Sequence, residues 1–71
     1  MADNNAAGQS IRALRNLASM TLEDVASLVP TTASYISKVE TGKAHPTHYW
    51  VGNVVGAIAD VLAEKRRTTA A

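Results

Sequence analysis

Residues 21–46 read TLEDVASLVPTTASYISKVETGKAHP, and the order of caps, apolar positions and breakers in this stretch decides the fold. Thr21 places a hydroxyl beside the first free amides of a helix, and Glu23 and Asp24 put two carboxylates in its positive first turn. A helix over 22–29 is predicted, stopped by Pro30, which has no amide hydrogen and pushes Val29 out of the helical region. Thr31 and Thr32 are then candidate caps for a helix over 33–40, with Ile36 and Val39 facing inward and Gly42 closing the end. On this reading about three residues separate the two helices.

Working outward, Ile11, Leu14, Leu17 and Ala18 recur at three- and four-residue spacing and predict an upstream helix over 9–18. Residues 1–8 are small and polar, and are expected to form a flexible arm. Downstream, Thr47 is the expected cap of a long helix over 48–66, whose stripe is Val51, Val54, Val55, Ile58, Val61 and Leu62. Gly52 and Gly56 cost it about 1 kcal/mol each relative to alanine, which a helix of this length tolerates. One helix is expected, or two with a bend near Ala59. The run Lys65-Arg66-Arg67 suits the negative end of that helix, and residues 68–71 should fray. The pattern contains neither a repeat nor a strand.

Seventy-one residues make one domain, with too little buried surface for a deep substrate cleft beside a stable core. The chain has no cysteine, which excludes disulfides and thiolate zinc sites, so packed helices must carry the stability. A net charge of +1 is a weak basic excess and does not by itself argue for nucleic acid. There is neither an apolar run of membrane-spanning length nor the pattern of a signal peptide, so a cytoplasmic protein is expected. Asp60 and Glu64 lie one helical turn apart and read as a solvated pair, not an acid–base dyad, so no enzyme is expected. His45 and His48 lack a third ligand, so neither a metal nor a cofactor is expected.

Two short helices joined by a tight turn have the geometry of a helix-turn-helix, whose second helix enters the DNA major groove. The residues within it resemble the Cro and phage-repressor type, the XRE family, from Ile11 to about Leu62. The matching segments are Ile11-Arg-Ala-Leu-Arg15, Thr21-Leu-Glu-Asp-Val-Ala26 and Ile36-Ser-Lys-Val-Glu-Thr-Gly42, with Pro46 four residues further on. The segments fall in register without a gap. Two positions depart: Leu22 stands where the family commonly has a phosphate-binding glutamine, and Pro30 where it has a glycine. The resemblance implies an all-α, four- to five-helix, lambda-repressor-like domain over 9–67. It also implies that Arg15 and Glu40 form an internal salt bridge, that the partner is double-stranded DNA, and that the protein is a small Cro-like regulator, a repressor of phage type, in a bacterial or phage-infected cell.

With Ile36 turned inward, Ser34, Ser37, Lys38 and Thr41 occupy the opposite side of the recognition helix, and Ala33 and Tyr35 its flanks. Thr32, Ala33 and Ser34 stand at the end that usually approaches base edges. Lys38 is the one strong donor, with no Arg, Asn or Gln for a bidentate contact, so modest base discrimination or reading of DNA shape is expected. Phosphate contacts are expected from Arg12, Lys43 and the amides near Thr47, with His45 either near the minor groove or simply exposed. Tyr49 and Trp50 belong either to the edge of the core or to the DNA backbone. Gly52, Gly56, Ala59 and Ala63 form a small-residue stripe suited to a homodimer, or are neutral exposed positions. Two further roles remain open, an excision or architectural DNA-binding factor and a protein-interaction module such as an antitoxin.

Overall fold

The computed structural model describes residues 5–69, with side chains described to Arg67. Four helices are present among them: α1 (Ala6–Leu17), α2 (Leu22–Ala26), α3 (Ala33–Glu40) and α4 (His48–Thr69), and no strand. The chain is all-α, as its periodicity requires. Ile11 and Ala18 from α1 and its end, Val25 from α2, Ile36 and Val39 from α3, and Val54 and Ile58 from α4 are buried together with Met20. Each fully buried Ile or Val contributes roughly 1.5–3 kcal/mol. Every helix therefore supplies part of one core.

The α1 helix starts three residues before Gln9, so residues 5–8 of the expected arm belong to the fold, while residues 1–4 lie outside the described residues. Gly8 is buried, and a Cβ on it would overlap the carbonyl oxygen of Val39 and lie 3.0 Å from the Cα of Glu40. Only glycine lets these two backbones approach so closely.

The α2 helix begins at the expected cap. Thr21 Oγ1 accepts from the Asp24 amide (3.0 Å) and Asp24 Oδ2 accepts from the Thr21 amide (2.8 Å), a reciprocal capping box. It ends at Ala26 instead of Val29, and 27–30 are turns, so six residues separate it from α3 where about three were expected. Ser27 Oγ donates to the Asp24 carbonyl (2.7 Å), and Pro30 keeps Val29 from continuing the helix. Leu22 is turned toward the core and half-buried.

Both α1 and α3 close with the same pair of reversed hydrogen bonds, from Ser19 to Asn16 (3.0 Å) and Met20 to Arg15 (3.0 Å), and from Gly42 to Val39 (3.1 Å) and Lys43 to Lys38 (2.7 Å). The closing residue is left-handed in each, Gly42 at φ +82° and Ser19 at φ +58°. The α4 helix is single, without a break at Ala59, and runs to Thr69 where a frayed end was expected from 68; residues 70–71 lie outside the described residues. Lys65 in its last turns donates to the Ala18 carbonyl, tying α4 to the end of α1.

Candidate nucleic-acid interface

The recognition helix begins where Thr32, in extended conformation, accepts a hydrogen bond from the Tyr35 amide (3.0 Å). Ile36 and Val39 then anchor its inner side, leaving Thr32, Ser34, Lys38 and Thr41 exposed on the other, with Ala33 and Ser37 half-buried at the margins. Thr41 Oγ1 donates back to the Ser37 carbonyl (3.0 Å), so this hydroxyl is engaged within its own helix. The exposed surface thus offers one cation, two hydroxyls and the methyl of Thr32.

The C-terminal end of α3 is bound far more tightly. Arg15 Nε and Nη2 donate to Glu40 Oε2 (2.8 Å) and Oε1 (2.9 Å), a fork-to-fork pair, while Nη1 donates to the Met20 carbonyl (3.0 Å). Side-chain exposure is 14% for Arg15 and 5% for Glu40, which keeps water from competing. Hydrogen bonding to Glu40 raises the Arg15 pKa above its ordinary value, against the opposing effect of burial. Asn5 Nδ2 donates to the Glu40 backbone carbonyl (3.1 Å), so the start of α1 caps the end of α3. Sequence periodicity missed Asn5 and Gly8. The available signal was spacing, since Gly8, Ile11, Arg15 and Ala18 continue one stripe at intervals of three and four residues.

Beyond α3, Lys43 and His45 are exposed, and Thr47 Oγ1 accepts from the Trp50 amide (3.1 Å) as the cap of α4. Its hydroxyl therefore serves the helix. Trp50 is half-buried and meets Tyr35 edge to face at 5.2 Å, locking the start of α4 to the middle of α3. Tyr49, by contrast, is 80% exposed and takes no part in the core. Arg12 is exposed on α1, one turn after Gly8, along the edge that borders the end of α3. The basic groups Arg12, Lys38 and Lys43 are thus carried by α3 and the segments next to it, while Glu23 and Asp24 sit at the start of α2.

The family model described as a helix-turn-helix domain matches residues 6–71. The chain belongs to the helix-turn-helix domain family. The matched region opens at Ala6, the first residue of α1, in agreement with the early start of that helix. No match was found among curated proteins, and none among solved structures. A helix-turn-helix domain is a DNA-binding element, generally without enzymatic activity. Among the described residues no helix is long and apolar enough to cross a membrane, and no group of three or more His, Cys, Asp or Glu could hold a metal ion.

Proposed function

We propose that this helix-turn-helix protein is a Cro-like regulator that binds double-stranded DNA sequence-specifically with α3 in the major groove, repressing transcription by occupying a promoter. One observation carries the reading: α3 is anchored along its inner side and clamped at its end by Arg15 and Asn5, while Thr32, Ser34 and Lys38 stand exposed together on its outer side. A rigid helix with a free polar side is what groove readout requires. Thr32, Ala33, Ser34, Ser37 and Lys38 face the bases, and Arg12, Lys43, His45 and the amides beside Thr47 hold phosphates. Two copies on adjacent half-sites, joined through the outer side of α4 at Gly52, Gly56, Ala59 and Ala63, supply the specificity that one recognition helix lacks.

Selection of bound fragments from random duplexes, followed by titration of the selected duplex against salt, tests this. The expected result is a recurrent motif and an affinity that falls steeply with salt, the logarithmic slope being about 0.9 per phosphate neutralised. No affinity for any duplex at low salt would overturn it in favour of a protein-interaction module. A second DNA-binding reading is supported by the single strong donor on the outer side of α3: an excision or architectural factor that reads DNA shape. It is distinguished by selected sequences that share flexibility and groove width but no common base pattern.

A further inference from the structure

Lys65, Arg66 and Arg67 stand together in the last turns of α4, and the structure sets this basic run beside the helix-turn-helix. Lys65 donates to the Ala18 carbonyl at the end of α1 and stabilises the Asp24 carboxylate at the start of α2 through its charge. Arg66 is exposed and lines a groove with Leu17, the last residue of α1. Arg67 Nη2 donates to Glu64 (2.9 Å), and both of these side chains are 70% exposed, so solvent competes for the pair. Residues 18–21 alone join α1 to α2, which puts the whole run at the corner where the chain enters α2.

When a helix-turn-helix binds DNA, the first helix of the motif crosses the phosphate backbone. That helix is α2 here, and its start offers phosphate little. Glu23 and Asp24 are exposed there, while Leu22 has no polar group and packs against the core. Two carboxylates beside a phosphate repel it unless cations stand next to them. We propose that Arg66 and Arg67 bind the DNA phosphates passing the start of α2, so that α4 supplies the backbone anchor that α2 lacks. The inference rests on the reading that α3 enters the major groove, and adds a contact outside that groove. Lys65 is the positioning residue, fixing the end of α4 at the corner and offsetting one carboxylate. A guanidinium carries five N–H donors, so Arg67 can keep Glu64 and still reach a phosphate. Phosphates are alike at every base pair, so the anchor strengthens binding to all duplexes and complements a recognition helix with one strong donor. Cations at a helix C-terminus also interact favourably with its carbonyls, an effect read in melting temperature and not in the salt dependence of binding.

The test compares the parent chain with Arg66→Gln/Arg67→Gln, which removes two charges at exposed positions and leaves Lys65 in place. Binding is measured on a duplex selected by the parent and on an unrelated duplex of equal length, with circular dichroism melts to check folding. The expected result is a several-fold loss of affinity on both duplexes and a logarithmic salt slope lower by about 1.8, at about 0.9 per phosphate. Arg66→Lys/Arg67→Lys, which keeps both charges, should retain the slope. A slope and affinity equal to the parent's in the glutamine variant, while Lys38→Ala lowers both, would overturn the anchor and leave groove binding by α3 standing. Loss on the selected duplex alone would also overturn it, by making the arginines base readers. A parent chain with no affinity for any duplex would overturn the DNA reading itself, and the anchor with it.

Discussion

At its C-terminal end α3 is gripped by parts of the chain 25 and 35 residues away, with Arg15 on the Glu40 carboxylate and Asn5 on the Glu40 carbonyl. Along its outer side Thr32, Ser34 and Lys38 meet solvent. The two regions teach that this helix is specified by contacts within the chain, and that Ser34 and Lys38 on its outer side are free to change without consequence for the fold, whereas Thr32 also caps the helix. Arg15→Ala is the strongest way to break the contrast. It leaves the Glu40 carboxylate buried without its guanidinium and should cost about 3–5 kcal/mol in urea unfolding, taking DNA binding with it. Replacing both residues, as in Arg15→Met with Glu40→Met, should cost less than the single change, because no charge is then stranded. A double variant as unstable as Arg15→Ala would show that the pair itself, not the stranded charge, sets the cost.

Next in size is Gly8→Ala. Its new methyl would meet backbone atoms of Val39 and Glu40, which cannot swing aside, so α1 must lift from α3 at a cost of about 1–3 kcal/mol. Gly52→Ala is the control. It enters open space in a helix and should gain up to about 1 kcal/mol in dilute thermal melts, by removing the backbone freedom of glycine. Equal effects at the two glycines would mean that α1 and α3 are not in close approach in solution.

The difference between these glycines also marks what the sequence could disclose. The stop and start signals around α3 are local: Thr32 as cap, Gly42 as closure, Ile36 and Val39 as the inner side. All are visible in residue type and spacing. The roles of Asn5 and Gly8 depend on where α1 lies against α3; Gly8 continues the spacing of Ile11, Arg15 and Ala18, but spacing alone does not disclose a close approach to α3. The end of α2, at Ala26, falls short of the predicted Val29 for a different reason. Pro30 is a breaker, but the back-bond of Ser27 to Asp24 and the turns over 27–30 end the helix earlier than proline sterics alone require. The outer residues of α3 were legible as a face, while the preference of Trp50 over Tyr49 for the core follows from its meeting with Tyr35, a tertiary fact.

The two helix closures sharpen the comparison further. Gly42→Ala forces a Cβ into a left-handed position and should cost about 1–2 kcal/mol, whereas Ser19→Gly relieves the same strain at the end of α1 and should gain a comparable amount. Opposite signs in paired thermal melts are the expected outcome. Lys38→Ala then probes the exposed side directly. Stability should stay within about 0.5 kcal/mol. The salt slope of DNA binding should fall by about 0.9 if the ammonium neutralises one phosphate, and an unchanged slope and affinity would remove Lys38 from the interface.

The smallest effect separates the start of α2 from the start of α3. Thr32 caps α3 without a reciprocating acid, since the residue three further on is Tyr35; Thr21 and Asp24 cap each other. Hydrogen bonds from the Thr21 backbone and then its side chain hold the Asp24 carboxyl below its ordinary value of 3.8. A group whose pKa is depressed on folding adds stability that is fully present above its unfolded value and is lost as pH falls through the folded one. The capping box therefore contributes from neutral pH down to the ordinary carboxylate range and opens in more acid solution. Asp24→Asn, which keeps an acceptor but removes the titrating charge, should show less loss of thermal stability than the parent chain as pH is lowered from 6 to 3. Because Asp24 is fully solvent-exposed, the difference should be small and should shrink with added salt. Parallel pH profiles would mean that the box is held by Thr21 alone, making the start of α2 equivalent to that of α3.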